Sequence, residues 1–293
     1  MADADASSGR LVRLSLQRAL GGGLDGALAM VLQVLALMWL RTTVNYQQST
    51  GAGWRASLAA LYAEGGVGRF YRGVGPALMQ GPLSRFGDTA ANVGMLAMLD
   101  ANPSTKSLPI GVKTLGASAS AAAFRVFLMP IDTVKTIMQV EGKRGIPKLT
   151  AKFKTSGPSV FFHGAMGACG ATFAGHYPWF ATYNALDAAI PVPQDSKLKK
   201  LGRSALLGFC SSFVSDTVSN SIRVLKTFRQ TSEVKISYIE CAKQITEEHG
   251  VMELFGRGLK TRLLANGMQG IMFSIMWKYL DDVMRKPAST SEQ

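Results

Sequence analysis

Residues 130–139 read Pro130-Ile131-Asp132-Thr133-Val134-Lys135-Thr136-Ile137-Met138-Gln139. A proline opens the string, an acid follows two residues on, a base five on, and a glutamine closes it. The same outline recurs 91 residues later from Ser221 to Gln230, with Arg223 and Lys226 inside it. It recurs again 92 residues earlier, from Met38 to Gln47, with Leu40 and Thr43. A second string follows each copy: Phe70-Tyr71-Arg72-Gly73, Phe161-Phe162-His163-Gly164 and Phe255-Gly256-Arg257-Gly258. These glycines are 91 and 94 residues apart. Between the strings lie short amphipathic stretches ending at Gly65, Gly157 and Gly250, the best formed running from Ile236 to His249. Two markers that keep one period make the chain a single domain, 1–293, of three units at about 11–100, 109–190 and 200–284.

Around these strings six helices are expected, at roughly 11–46, 75–100, 109–141, 166–188, 200–231 and 260–284. Gly164 to Leu186 and Gly26 to Leu40 hold no charged residue, whereas the fifth helix is studded with Ser, Thr and Asp216. The 293-residue chain is 47% apolar and only 17% charged, below the ~25% charge usual in soluble domains. Mean hydropathy is +0.13, yet no run approaches ~18 uninterrupted apolar residues. That combination argues against a soluble enzyme, a disordered chain and a bundle of plain lipid-facing spans. It fits membrane helices that each keep one polar face toward an aqueous interior.

Other classes are set aside on chemistry. Cys169, Cys210 and Cys241 are far apart, with no metal spacing, and read as free thiols. The first 18 residues lack a secretory core, and Asp3 and Asp5 make a poor transit peptide. No P-loop, dinucleotide fingerprint or nucleophile elbow occurs, three His do not make a metal site, and no cofactor is implied. The net charge of +13 is spread over loops rather than gathered beside stacking aromatics, so no nucleic acid is expected as a partner.

The triplicated pattern resembles the mitochondrial carrier family, whose signature is Pro-x-Asp/Glu-x-x-Lys/Arg-x-Lys/Arg, a spacer, then Asp/Glu-Gly and an aromatic-Lys/Arg-Gly. The second unit carries it best, with Glu64-Gly65 and Tyr71-Arg72-Gly73 in the first. The resemblance implies an all-α membrane protein: six transmembrane helices in three pseudo-threefold repeats, with short matrix-side amphipathic helices. It implies transport of a small metabolite by alternating access across the inner mitochondrial membrane, usually as a monomer. The departures from the signature leave a second reading, a non-transporting structural or adaptor subunit with a protein partner. Segments 41–72, 135–163 and 223–257 would face the matrix, and they carry 16 Lys/Arg against 7 Asp/Glu.

By the same resemblance Pro130 kinks its helix, and Asp132, Lys135 and Lys226 form what remains of a matrix gate, Asp132 pairing with Lys226. Leu40 opposite Lys135, and Arg223 opposite Thr43, cannot form salt bridges. Gln47, Gln139 and Gln230 would brace the gate. The family's opposite gate falls on Asn92, Val93, Leu96, Tyr183, Asn184, Asp187, Trp277, Lys278 and Asp281, which do not match its pattern. Substrate contacts carry over to Gln80, Ala171-Thr172 and Ala265. Arg72, Gly73, Gly164, Arg257 and Gly258 carry over as lipid contacts, for cardiolipin, or are ordinary turn residues.

The residues themselves add polar groups inside apolar helices: Gln33, Arg85, Arg125, His176, Asp216, Asn266 and Gln269. Arg125 and Asp216 form either a dipolar substrate site, leaning to a zwitterion or carboxylate, or a mutual ion pair between helices. His176 is an interior hydrogen-bonding group or a proton relay. Asp25 is a buried acid or sits at the cavity mouth.

Overall fold

The structure is a computed structural model that describes residues 23–194, 196–234 and 236–284. Asp25 has no described side chain, and nor do Arg85, Asn92, Val93, Trp277, Lys278 and Asp281, so those expectations lie outside the described residues. The described chain is helical: α1 (Gly23–Thr50), α2 (Trp54–Phe70), α3 (Val74–Ala101), α4 (Pro103–Lys106), α5 (Ile110–Glu141), α6 (Gly145–Ser156), α7 (Ala165–Ala189), α8 (Lys197–Thr231), α9 (Tyr238–His249), α10 (Val251–Gly256) and α11 (Leu259–Met284). Six are long, at 25–35 residues, which is about 38–52 Å at 1.5 Å per residue. Pro82, Pro130 and Pro178 stand inside α3, α5 and α7, where each removes a ladder hydrogen bond.

The bundle is apolar outside and polar inside. α8 buries Ser211, Ser215, Asp216, Ser219 and Asn220, while Phe209, Phe213 and Val218 lie exposed on its other face. Phe127 on α5 is 78% exposed and Met98 on α3 is 71% exposed, while Gln48, Gln139 and Gln230 are almost fully buried. In water this arrangement would be upside down; against hydrocarbon it is the favourable one. Composition alone flags only the Gly111–Ala189 stretch, among the described residues, as apolar enough to cross a membrane.

Contacts at one end of the bundle recur about every 91 residues. Thr42 Oγ1 donates to the Phe70 carbonyl at 2.7 Å, and Thr133 Oγ1 to the Phe161 carbonyl at 2.8 Å. The glycines that start α3, α7 and α11 each lie against the end of another long helix. A Cβ on Gly73 would sit 3.1 Å from the Lys135 carbonyl, one on Gly164 2.8 Å from Gln230, and one on Gly258 3.2 Å from the Val44 carbonyl. Gly73 and Gly258 also hold φ of +83° and +69°, which a side chain would strain. Cations cap the helix ends, where carbonyls lack partners. Arg69 donates to the Gln139 and Val140 carbonyls at 2.8 and 2.6 Å, and Lys152 to the Gln230 carbonyl at 3.0 Å.

This geometry corrects the register of the first unit. Gln48, not Gln47, stands where Gln139 and Gln230 stand. Thr227 Oγ1 donates to Gln48 Oε1 at 2.9 Å, as Asn45 Nδ2 donates to Gln139 Oε1. Gln47 turns instead to Thr261, whose hydroxyl donates to its Oε1 at 2.6 Å. The tandem Gln47-Gln48 hid the one-residue offset. Stepping back 91 residues therefore puts Arg41 opposite Asp132, and Val44 opposite Lys135.

Two outcomes follow from this packing. A Cβ on Gly87 would fall 1.8 Å from the Phe124 ring, so Gly87→Ala should destabilise the protein by about 1–3 kcal/mol in detergent unfolding. Adding Phe124→Val should recover part of that loss. Burial, with Lys148 nearby, lowers the pKa of Lys152 from 10.5 to about 8. The folded state then binds fewer protons than the unfolded chain between those values, so this group makes stability rise from about pH 8 to 10.5. Lys152→Met should flatten that rise in a pH series of unfolding temperatures.

Candidate functional site

All six long helices line one cavity of about 660 Å³. Its described lining includes Arg41, Gln48, Gln80, Arg125, Asp132, Lys135, Ala171, Thr172, His176, Arg223, Lys226, Arg262 and Gln269. Asp132 is the only acid among those described lining residues, against six Arg and Lys.

The floor is built around the Asp132 carboxylate. Lys226 donates to its Oδ2, Lys135 to its Oδ1 at 3.0 Å, and Gln80 Nε2 to its Oδ1 at 2.9 Å. Gln230 Nε2 stands 3.4 Å from Oδ2 and donates to Thr133 Oγ1 at 3.1 Å. Lys135 also donates to Gln80 Oε1. Gln80 is thus tied into the floor, between acid and base. Gln139 lies among Asn45, Thr42 and Met38 of α1, with no ion pair to brace.

Away from the floor the Arg125 and Asp216 alternatives resolve into separate partners, Arg125 in the lining of this cavity and Asp216 outside it. Asp216 accepts from Arg262 Nε at 2.8 Å and from Asn266 Nδ2, with Arg223 Nη2 at 3.9 Å. Arg125 Nη1 donates to Ser84 Oγ. The expected mutual ion pair is therefore corrected: α11 supplies the base to Asp216, at Arg262, a position outside the repeated strings. His176 Nδ1 lies 3.2 Å from Ser118 Oγ, with its ring edge-on to Phe180. Thr172 and Ala171 line the cavity, but Ala265 does not; it packs with Leu37 and Leu40 in an apolar cluster.

Toward the other mouth, Trp179 stacks on Tyr183 at 5.1 Å and meets Phe180 edge-on. Asp187 pairs with Arg203 at 2.8 Å. A second, mostly apolar cavity of about 1200 Å³ lies between α8 and α11 and shares Trp179, Ser215 and Gln269 with the first.

The expected lipid contacts divide. Arg72 is exposed beside Gly73. Arg257 is buried, bonded to Glu253 at 3.3 Å and to His249 Nδ1 at 2.9 Å. A Cβ on Gly51 would fall 2.8 Å from its guanidinium. Arg257 is therefore withdrawn as a lipid contact: its charge lies over the C-terminal end of α1.

Sequence reasoning missed Arg41 and Arg262. A strict 91-residue step would have found the first; nothing in the repeats marks the second. Asp132→Asn removes the one carboxylate, itself buried, between two partly buried ammonium groups. It should lower stability by about 3–5 kcal/mol in an unfolding scan. The double variant with Lys226→Met should regain much of it.

A family model described as mitochondrial carrier protein matches residues 106–191 and 197–287. No curated protein matches the chain significantly. The matched residues contain Pro130, Asp132, Lys135 and Gln139, then Arg223, Lys226 and Gln230. Family members are transporters rather than enzymes, typically of the inner mitochondrial membrane. With more than half its length matched, and six long helices around a polar cavity, the chain belongs to the mitochondrial carrier family, whose members move metabolites across a membrane.

Proposed function

We propose that this protein carries a small metabolite across the inner mitochondrial membrane by alternating access, through six membrane spans in three repeats. The observation that carries this reading is the cavity itself. It is polar, lined from all six long helices, and it ends at a floor held by the Asp132–Lys226 ion pair. A closure made of ion pairs can be exchanged for solvated charges when the floor opens, which a packed apolar plug does not allow.

In this reading Asp132, Lys226, Lys135 and Gln80, with Gln230 as brace, form the matrix gate. Gln48 takes the place first given to Gln47. Thr172, His176 and Arg125 line the path above, and Arg85 stays a candidate beside them. Pro130 supplies the bend in α5 that brings its end under the cavity. Arg72, beside the start of α3, is the candidate contact for a cardiolipin phosphate, aided by free backbone N–H groups there. The competing reading, a structural subunit that no longer transports, draws on Arg41 and Arg223, which leave Asp132 as the single acid at these three repeated positions.

The test is flux into proteoliposomes containing cardiolipin, loaded with a panel of labelled metabolites. Saturable uptake of one chemical class, reduced at least about tenfold by Lys226→Met, is the expected result. No uptake of any class, by protein that is inserted and still stabilised by cardiolipin, would overturn transport in favour of the structural subunit.

A further inference from the structure

The second cavity, between α8 and α11, has no part in the path proposed above. At about 1200 Å³ it is larger than the roughly 300–1,000 Å³ usual for a small-molecule pocket. Its outer wall is apolar: Leu206, Phe209 and Phe213 of α8, with Leu264 and Ile271 of α11, all exposed on the face that suits hydrocarbon. Its inner end is polar. Gln33 reaches it from α1, Asp216 from α8 and Asn266 from α11. Trp179, Ser215 and Gln269 separate it from the central cavity, since they line both.

The polar groups at this inner end are held by the protein, and Gln33 stands apart from them. Asp216 accepts from Arg262 and Asn266. Trp179 Nε1 donates to Ser212 Oγ at 3.3 Å, and Ser215 Oγ donates to the Gly175 carbonyl at 2.7 Å. Gln33 is 4% exposed, and its Oε1 has no hydrogen-bond partner among the described residues. A buried acceptor left without a donor costs its full desolvation, so the group calls for a partner from outside the chain.

We propose that this cavity binds a single-chain amphiphile with a neutral hydroxyl or amide head. The chain lies along the apolar wall and the head donates to Gln33 Oε1. Binding here does not depend on the transport reading. The charges nearby select the head. An anionic head offers no proton to Gln33 and would bring like charge beside Asp216. A cationic head gains little, because Asp216 already has Arg262 Nε at 2.8 Å and Arg223 Nη2 at 3.9 Å. A hydroxyl or amide supplies the proton without adding a charge. Small residues leave room for the chain: a Cβ on Gly208 would meet nothing within 4 Å, and one on Gly267 would meet only the Phe209 ring.

The experiment uses the full-length protein in phosphatidylcholine nanodiscs, where no detergent competes, with hexadecanol that carries a diazirine at mid-chain. Adducts formed on irradiation are mapped by peptide mass spectrometry. Labelling within 201–213 and 263–271 should saturate, and plain hexadecanol or hexadecanamide should displace it. Gln33→Leu should weaken binding about tenfold, the worth of one hydrogen bond. The same variant should raise the unfolding temperature of the ligand-free protein, because it removes a buried group without a partner. A firmer fold with weaker binding is what a merely structural Gln33 would not give. Gly208→Leu fills the open space in the wall and should abolish saturable labelling; it carries the test alone should Gln33→Leu not fold. Labelling that does not saturate, or that hexadecane displaces equally, marks a surface that only meets bilayer chains and overturns the site. Equal displacement by hexadecylsulfonate or hexadecylamine overturns the neutral head. Unchanged labelling in both variants overturns the placement at Gln33.

Discussion

The carboxylate of Asp132 is the point at which α3, α5 and α8 are held together. It accepts hydrogen bonds from Lys226 of α8, from Gln80 of α3 and from Lys135 of its own helix, with Gln230 close by. These groups converge because the backbones come close: Gly73 lies on the Lys135 carbonyl and Gly164 on Gln230. Small residues let the helices approach, and the approach lets short polar side chains share one charge. A buried ion pair is seldom worth much against an apolar replacement, but removing one partner is expensive. So the pair is better understood as fixing how three helices meet than as a source of net stability.

The first helix is held by other means. Leu37 and Leu40 pack on Ala265 of α11, and Gln47 accepts a hydrogen bond from Thr261. Gln48 is enclosed by Asn220 and Thr227 of α8. One side of the floor is therefore held by ion pairs, while the α1 side is apolar packing and hydrogen bonds, among them one from Arg41 Nη2 to Gln269 Oε1 at 3.0 Å. The difference follows from residue type alone: Val44 stands where Lys135 and Lys226 stand, and Arg41 where Asp132 stands. The family match covers the second and third units, at residues 106–191 and 197–287.

Much of this was legible in the sequence. The bounds expected for the second to sixth long helices fall within a few residues of those in the structure, because Gly73, Gly164 and Gly258 are placed by close contact and leave a fixed mark, whereas the expected start of the first lies outside the described residues. The Asp132–Lys226 contact was implied by the family resemblance, and the structure shows it. What was hidden had two physical causes. Tandem Gln47-Gln48 gave the alignment two equal choices, and only the hydrogen bond from Thr227 separates them. Arg262 meets Asp216 through the crossing of α8 and α11, and sequence spacing carries no record of which faces cross. Arg257 showed the opposite failure: its string looked surface-exposed, but the helix end beneath it needed a cation.

Under alternating access a carrier has to balance the two ends of its bundle, because a state too stable at one end is never left. Here the floor keeps one ion pair. The other mouth offers the Trp179–Tyr183 stack and the Asp187–Arg203 pair, which joins α7 to α8 rather than spanning the opening. What differs is the supply of charge. The six repeated charge positions of the floor hold four bases, Arg41, Lys135, Arg223 and Lys226, one acid, Asp132, and the apolar Val44. With one carboxylate serving both Lys135 and Lys226, the contacts that close the floor all converge on a single acid.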